Sequence, residues 1–423
     1  MVMKYFILII CTVCCISCKA ARYKASAGTS ALPAAYRTDV YMPLLKGKRI
    51  GVFANQTSVI GETHLVDSLI KSGIEVVKIF SPEHGFRGNA GAGEKTGDTK
   101  DDKTGLPIIS LYGKKLKPSA DDLRGVDILL FDVQDVGVRF YTYISSLQYF
   151  MEAAFENHKP LMILDRPNPN GFYVDGPVLD KKYKSFVGMQ QVPVVYGMTI
   201  GEYALMIAGE KWLNDAANEV YGYYQNTAQN NTDTPFHFLV IKCAGYNHKS
   251  LYKLPVKPSP NLADMRSVYC YPSTCFFEGT VISEGRGTDE PFCIFGHPLL
   301  PQTLYAFTPT AKDWARQPKC LNQTCYGWHI SGSDEDVRKQ IDGKIQLRYM
   351  LEAYRLFPDK KIFFPASSSA KPNDFFFNKL AGNDELMQQI INGKTEEEIR
   401  KSWQPALDAF KVIRKKYLLY DDF

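Results

Sequence analysis

The sequence predicts an α/β protein in which a Rossmann-like parallel sheet domain precedes a smaller α+β C-terminal domain. From residue 40 to about 215, short apolar runs alternate with amphipathic stretches, which is the pattern of βαβ units. The apolar runs are β-branched and nearly continuous, as strands buried on both faces of a parallel sheet tend to be. Asn214 to Pro235 is then polar and poor in aliphatic residues, which marks a junction, and the order of elements beyond it is mixed. The expected boundaries are 39–230 for the sheet domain and 231–423 for the C-terminal domain.

Taken in order, Arg49 to Ala54 reads as the first strand and Glu62 to Ser72 as a helix ended by Gly73. Ile74 to Phe80 is the second strand, stopped by Pro82, which has no backbone N–H to give to the ladder. Leu106 to Leu111 is a third strand, Ser119 to Leu123 a short helix and Asp127 to Phe131 a fourth strand. Ser145 to Asn157 is a helix, Leu161 to Leu164 a fifth strand, and Thr199 to Leu213 a helix opened by a capping box of Thr199 with Glu202. The second domain is expected to hold a strand at Phe236 to Lys242, an aromatic and Gly-rich run from Tyr269 to Pro298, and helices at 333–357, 383–392 and 395–417.

The chain has 423 residues, is 45% hydrophobic and 22% charged, and carries a formal net charge of +5 with no Lys/Arg block, which excludes a nucleic-acid footprint. Lys4 followed by the apolar run Tyr5 to Ile16 reads as a secretory signal over residues 1–18. That run is too short to span a bilayer core of about 30 Å. It closes on Cys15-Ile16-Ser17-Cys18-Lys19, which resembles a relaxed lipoprotein signal, so the expectation is an exported protein, periplasmic or anchored through a lipid at Cys18, with 19–38 as a tether. Cys270/Cys275 and Cys320/Cys325 are spaced to close short loops, with buried free thiols as the alternative. Past the signal there is no CxxC pair, and no HxxxH or HExxH occurs, so no metal site is expected. Gly88-Asn89-Ala90-Gly91-Ala92-Gly93 does not follow the first strand, as a dinucleotide fingerprint would, and reads as a mobile loop; no cofactor is expected.

In an open parallel sheet, ligands bind outside the carboxyl ends of the strands. Four predicted ends are polar: Asn55-Gln56-Thr57, Ser81-Pro82-Glu83-His84, Asp132-Val133-Gln134-Asp135 and Asp165-Arg166-Pro167-Asn168-Pro169-Asn170. Glu83 beside His84 suits a general acid; the alternative is a loop carboxylate paired with Arg87. Asp132 and Asp135 are the candidates for a second carboxylate, and their spacing lets them face different ways. Arg139 and Tyr141 suit a ligand bearing a carboxylate, while Tyr143 reads equally as core. Asn55, Arg87, Gln134, Arg166 and Asn168 are further expected contacts. From the second domain come Asn261 after Ser259-Pro260, Glu278 in Phe277-Glu278-Gly279-Thr280, and Arg286, either an anion clamp or half of an internal pair with Asp289.

Together these runs resemble the NamZ-type exo-β-N-acetylmuramidases across nearly the whole mature chain. The resemblance rests on Ser81-Pro82-Glu83-His84-Gly85, Asp132 to Gly137 with Arg139 to Tyr143, Asp165 to Pro169, Gly197 to Glu202, and Phe277 to Thr280 with Gly285 to Asp289. It implies an active-site cleft between the two domains and hydrolysis of a terminal, non-reducing N-acetylmuramic acid from a peptidoglycan-derived saccharide, with the family's glutamate at Glu83. Asp132 or Asp135 would then be the partner, or the substrate's own 2-acetamido group would be the nucleophile. The lactyl carboxylate would need a cation, for which Arg139, Arg166 and Arg286 are candidates. The rival from another class is a non-catalytic lipoprotein that captures peptidoglycan fragments; a serine esterase is disfavoured because no G-x-S-x-G elbow occurs.

Overall fold

The computed structural model of the chain describes residues 31–88, 97–227, 236–366 and 371–423. The expected signal with Cys18, and the glycine run past Gly88, lie outside the described residues. In chain order the strands are β1 (Arg49–Ala54), β2 (Val59–Ile60), β3 (Thr63–His64), β4 (Glu75–Ser81), β5 (Thr99–Lys100), β6 (Pro107–Ser110), β7 (Ile128–Asp132), β8 (Leu161–Leu164), β9 (Phe238–Ile241), β10 (Ile294–His297), β11 (Tyr305–Phe307) and β12 (Cys325–His329). Seven of them form one sheet in the order β5-β6-β4-β1-β7-β8-β9, parallel throughout except for the antiparallel edge strand β5.

Period-two alternation explains why these apolar runs make a two-sided sheet. Phe53, Phe80, Leu129, Phe131, Leu161 and Ile163 pack on one face against the helix Tyr143–Glu156, with Phe53 stacked on Phe131 at 4.6 Å and edge-on to Phe150 at 5.1 Å. Ile50, Val52, Ala54, Ile79, Leu130, Met162 and Leu164 pack on the other face, against Tyr41 and the helix Leu65–Lys71. Leaving out β5, the order runs outward in both directions from β1, so the chain reverses its winding between β1 and β7, which makes that gap the topological switch point.

Several sequence expectations shift. The strand over 236–242 belongs to the first sheet, as β9 pairs with β8 from Leu161↔Phe238 to Leu164↔Ile241, so the sheet domain extends past the polar junction. Residues 119–123 form turns rather than a helix, and 333–357 splits into Asp334–Ile341 and Leu347–Leu356, broken where Asp342 and Gly343 take left-handed backbone at φ 53° and 57°. The last part of the expected tether is docked, with Leu32 bridging Ala244 and with Ala34 and Ala35 fully buried. Cys270 has Cys293 as its neighbour at 3.8 Å between sulfurs, not Cys275, because Cys275 begins the next turn on the same helical rod.

The C-terminal region builds a three-stranded antiparallel sheet in the order β10-β12-β11, surrounded by helices. Gly296 and Gly327 oppose each other in it, and a Cβ on Gly327 would meet the Phe295 carbonyl oxygen at 2.0 Å. The two regions share one apolar core that runs from Phe150 through Phe277 to Trp403. Polar stitches join them as well: Tyr420 Oη donates to Asp165 at 2.6 Å, and Arg400 pairs with Asp175 at 3.0 Å. Among the described residues no helix is long and apolar enough to cross a membrane.

Candidate active site

Strand β4 ends at Ser81, and Pro82 stops the ladder. His84 and Gly85 then both take left-handed backbone, at φ 70° and 74°, and Gly85 N–H closes the turn onto Pro82 O at 3.1 Å. A β-substituted residue in that conformation costs on the order of 1 kcal/mol, and the gain here is direction: the chain folds back and leaves Glu83 projecting from the sheet edge. Glu83 is half-buried and lines a cavity of about 770 Å³, with Tyr112 and Thr142 beside it. Thr142 Oγ1 lies 3.5 Å from Glu83 Oε2. Burial, then the charge of Glu83, then the hydrogen bond the phenol donates to that carboxylate push the Tyr112 hydroxyl above its ordinary range.

The far wall of this cavity comes from the C-terminal region: Glu278, Arg286, the segment Asp313 to Pro318, and Phe376. Arg286 bridges Glu278 at 2.9 Å and Glu284 at 3.1 Å, and Lys319 reaches Glu284 at 3.2 Å. Burial works against the Arg286 charge, but Glu278 and Glu284 outweigh it and hold the guanidinium protonated. Beside the large cavity lies a recess of about 70 Å³ that shares Glu83, Phe140, Thr142, Tyr271 and Arg286 with it and is otherwise walled by residues such as His84, Tyr141, Asn261 and Phe292. Six expected site residues therefore line one space: Glu83, His84, Tyr141, Asn261, Glu278 and Arg286.

The others do not reach it. Asp132 and Arg166 are locked together, Nε to Oδ1 at 2.6 Å and Nη2 to Oδ2 at 2.8 Å, with side-chain exposures of 0% and 1%. This pair fills the switch point, so the crevice that the fold would otherwise offer is plugged by the protein's own charges and the cavity lies toward β4 and β6 instead. Asp135 is buried beneath, accepting from Gly137 N–H at 2.6 Å and from the Tyr196 hydroxyl; burial, opposed by those bonds, pushes its carboxyl up to about 7. Arg139 spends its guanidinium on three carbonyls, Pro177, Val192 and Leu380, at 2.7 to 2.8 Å, and burial pulls it down to about 9.

Asn55 holds Tyr143 Oη at 2.8 Å and Thr57 N–H at 2.9 Å; Gln134 donates to the Asp135 and Pro167 carbonyls, and Asn168 to Met198 O. All three are buried scaffolding for the strand ends. Arg87 turns away to Asp101, 2.9 Å, and Asp67, 3.5 Å, on the outer side of the β4 turn. The alternative Arg286–Asp289 pair does not form: Arg286 bonds Glu278 and Glu284, and Asp289 pairs with Lys312 at 3.0 Å. Among the described residues no three His, Cys, Asp or Glu side chains gather as a metal site would require.

Sequence reasoning missed Tyr112, Thr142 and Arg316. Tyr112 stands just past β6, so the strand-end rule applied to that strand would have found it. Thr142 immediately precedes the helix Tyr143–Glu156, and Arg316 sits exposed in an irregular segment that carries no motif.

The chain is similar to proteins of one family along nearly its whole described length. Family models for the N-terminal and C-terminal parts of the exo-β-N-acetylmuramidase NamZ match residues 50–266 and 269–420. The peptidoglycan β-N-acetylmuramidase NamZ of Bacillus subtilis (strain 168) is 38% identical over 402 residues, covering 90% of this chain and 89% of that protein. Two crystal structures of DUF1343 family proteins from Bacteroides fragilis NCTC 9343 superpose on the chain. One is 43% identical with a TM-score of 0.80, covering 93% of this chain and 100% of that one; the other is 27% identical with a TM-score of 0.75, covering 92% and 99%. With both halves of the chain matched, and Glu83 on the wall where those halves meet, this protein belongs to the NamZ family of exo-β-N-acetylmuramidases.

Proposed function

We propose that this chain is a glycosidase that removes terminal, non-reducing, β-linked N-acetylmuramic acid from peptidoglycan fragments. The observation that carries the reading is Glu83, a carboxylate at the junction of a cavity large enough for a saccharide and a recess far too small for one. Glycoside hydrolysis needs a proton at the leaving oxygen and a second group on the other face of the sugar ring. Glu83 supplies the proton, with Tyr112 and Thr142 positioning its carboxyl. Glu278 takes the second role that the sequence offered to Asp132 or Asp135: of the two carboxylates on the C-terminal wall, Glu278 is oriented by Arg286 at 2.9 Å, whereas Asp313 lies exposed in an irregular segment.

The lactyl carboxylate of muramic acid calls for a cation. Arg139 and Arg166 are buried elsewhere and Arg286 is committed to two carboxylates, which leaves Arg316 on the cavity wall. Trp314, Phe186 and Phe376 offer faces on which a second sugar stacks. Cleavage at a chain end is the mode that the name of the matched exo-β-N-acetylmuramidase family carries.

The test is to incubate the purified protein with the disaccharide N-acetylmuramyl-β-1,4-N-acetylglucosamine and with the isomer carrying muramic acid at the reducing end. Free N-acetylmuramic acid from the first alone is the expected result; release from neither, or from both, would contradict it. Export with a lipid at Cys18 is the companion proposal, supported by the Lys4 to Cys18 pattern. Metabolic labelling with a fatty acid that is lost in Cys18→Ala checks it.

A further inference from the structure

We infer that the recess of about 70 Å³ beside Glu83 reads the 2-acetamido group of the terminal sugar, with Asn261 as its polar contact. The inference rests on the muramidase reading and specifies what that site selects. Asn261 is 2% exposed, and its Oδ1 is buried without a hydrogen-bond partner among the described residues. A buried amide oxygen left unmatched is costly, and of the fifteen such side-chain atoms among the described residues only this one and Arg286 Nε belong to residues that line the recess. The segment that carries it is held fast: Leu262 N–H bonds Ser259 O at 3.1 Å, and Pro258 O accepts from Tyr141 Oη at 2.7 Å and from Gln56 Nε2 at 3.1 Å. The unmatched group is thus preorganised rather than adrift.

The recess also discriminates by charge and size. Its walls include the carboxylate of Glu83, while the positive charge of Arg286 is already balanced by Glu278 and Glu284, so an anionic group is disfavoured there. Leu262 and Phe292, each 1% exposed, give it an apolar end. A neutral group with one N–H, one C=O and one methyl meets all of these conditions. The side-chain amide of Asn both donates and accepts, so it pairs with a secondary amide in either orientation, and the methyl fills the space against Leu262 and Phe292.

The experiment uses three chromogenic β-muraminides that share a leaving group and differ only at the 2-nitrogen: free amine, N-acetyl and N-propionyl. For the wild-type protein, kcat/KM is expected to be highest on the N-acetyl sugar. Asn261→Ala should lower that value by about 10- to 100-fold and leave the free amine within about threefold, so that discrimination collapses. Leu262→Ala should raise the N-propionyl rate relative to N-acetyl, a gain that misfolding cannot produce. Loss of the same factor on all three sugars in Asn261→Ala, or no loss on N-acetyl, would overturn the inference. Calorimetric binding of free N-acetylmuramic acid separates it from the reading beneath it. Binding that depends on Asn261 without turnover would keep the recess and refute the reaction, whereas turnover indifferent to the acyl group would keep the reaction and refute the recess.

Discussion

Replacing Asp132 by Asn separates scaffold from chemistry more sharply than any other single change outside the cavity. Asp132 meets Arg166 through two bonds of 2.6 and 2.8 Å, and neither side chain is more than 1% exposed. In Asp132→Asn one amide oxygen can still accept from the guanidinium, but the charge loses its counterion and the other bond is replaced by a facing N–H donor, with a 3.4 Å contact to Val59 O as the remaining described partner. Leaving one partner of a buried ion pair uncompensated costs about 3–5 kcal/mol. For a domain of roughly 200 residues, each kcal/mol moves the midpoint by about 2–4 °C, so a fall of about 6–20 °C is expected. Calorimetry gives the midpoint, and kcat/KM measured well below it should stay within about threefold of wild type. Asp132→Leu with Arg166→Met, which removes both charges, should recover much of the lost stability. An unchanged midpoint together with a hundredfold loss of activity would refute the reasoning and return Asp132 to the reaction.

Two other perturbations follow from the same geometry. Arg316→Ala should lower kcat/KM about tenfold on a β-N-acetylmuraminide and leave a β-N-acetylglucosaminide, which lacks the lactyl carboxylate, unaffected; equal loss on both would remove Arg316 from carboxylate recognition. The Asp135 carboxyl is raised by burial from 3.8 to about 7, so the folded protein holds a proton that the unfolded chain releases. Its stabilising share is full below about pH 4 and is lost as pH climbs through about 7, so Asp135→Asn should gain midpoint relative to wild type by a few kcal/mol equivalent across that window. A constant difference between the two across pH 4 to 8 would contradict this.

Much of the fold was legible because the parallel strands advertise themselves. Ile128 to Phe131 and Leu161 to Leu164 are buried on both faces, and an unbroken apolar run is the form such strands take. The capping box at Thr199 likewise marks a helix start where the structure has it. Strand β9 was read as present but assigned to the wrong side of the junction, since the polar stretch before it looks like a linker while its pairing partner β8 lies more than seventy residues earlier. The site was legible in part for a related reason. Polar residues at strand ends are found by rule, but the rule does not say which of them the protein turns on itself. Asp132 and Arg166 obey it and then satisfy each other, Asn55 obeys it and turns to Tyr143 and Thr57, and only the third dimension separates them from Glu83. Arg316 lies in a segment without periodicity, placed by the C-terminal region's own packing, and nothing local distinguishes it from any exposed arginine.

The central claim is that Glu83 delivers the proton to the departing sugar oxygen, and leaving-group dependence tests it most directly. With Glu83→Gln, kcat/KM on the muramyl disaccharide, whose leaving alkoxide needs protonation, should fall at least about a hundredfold, while an aryl β-N-acetylmuraminide with an acidic phenol should lose far less. Equal losses on the two substrates, or no loss on the disaccharide, would contradict the account.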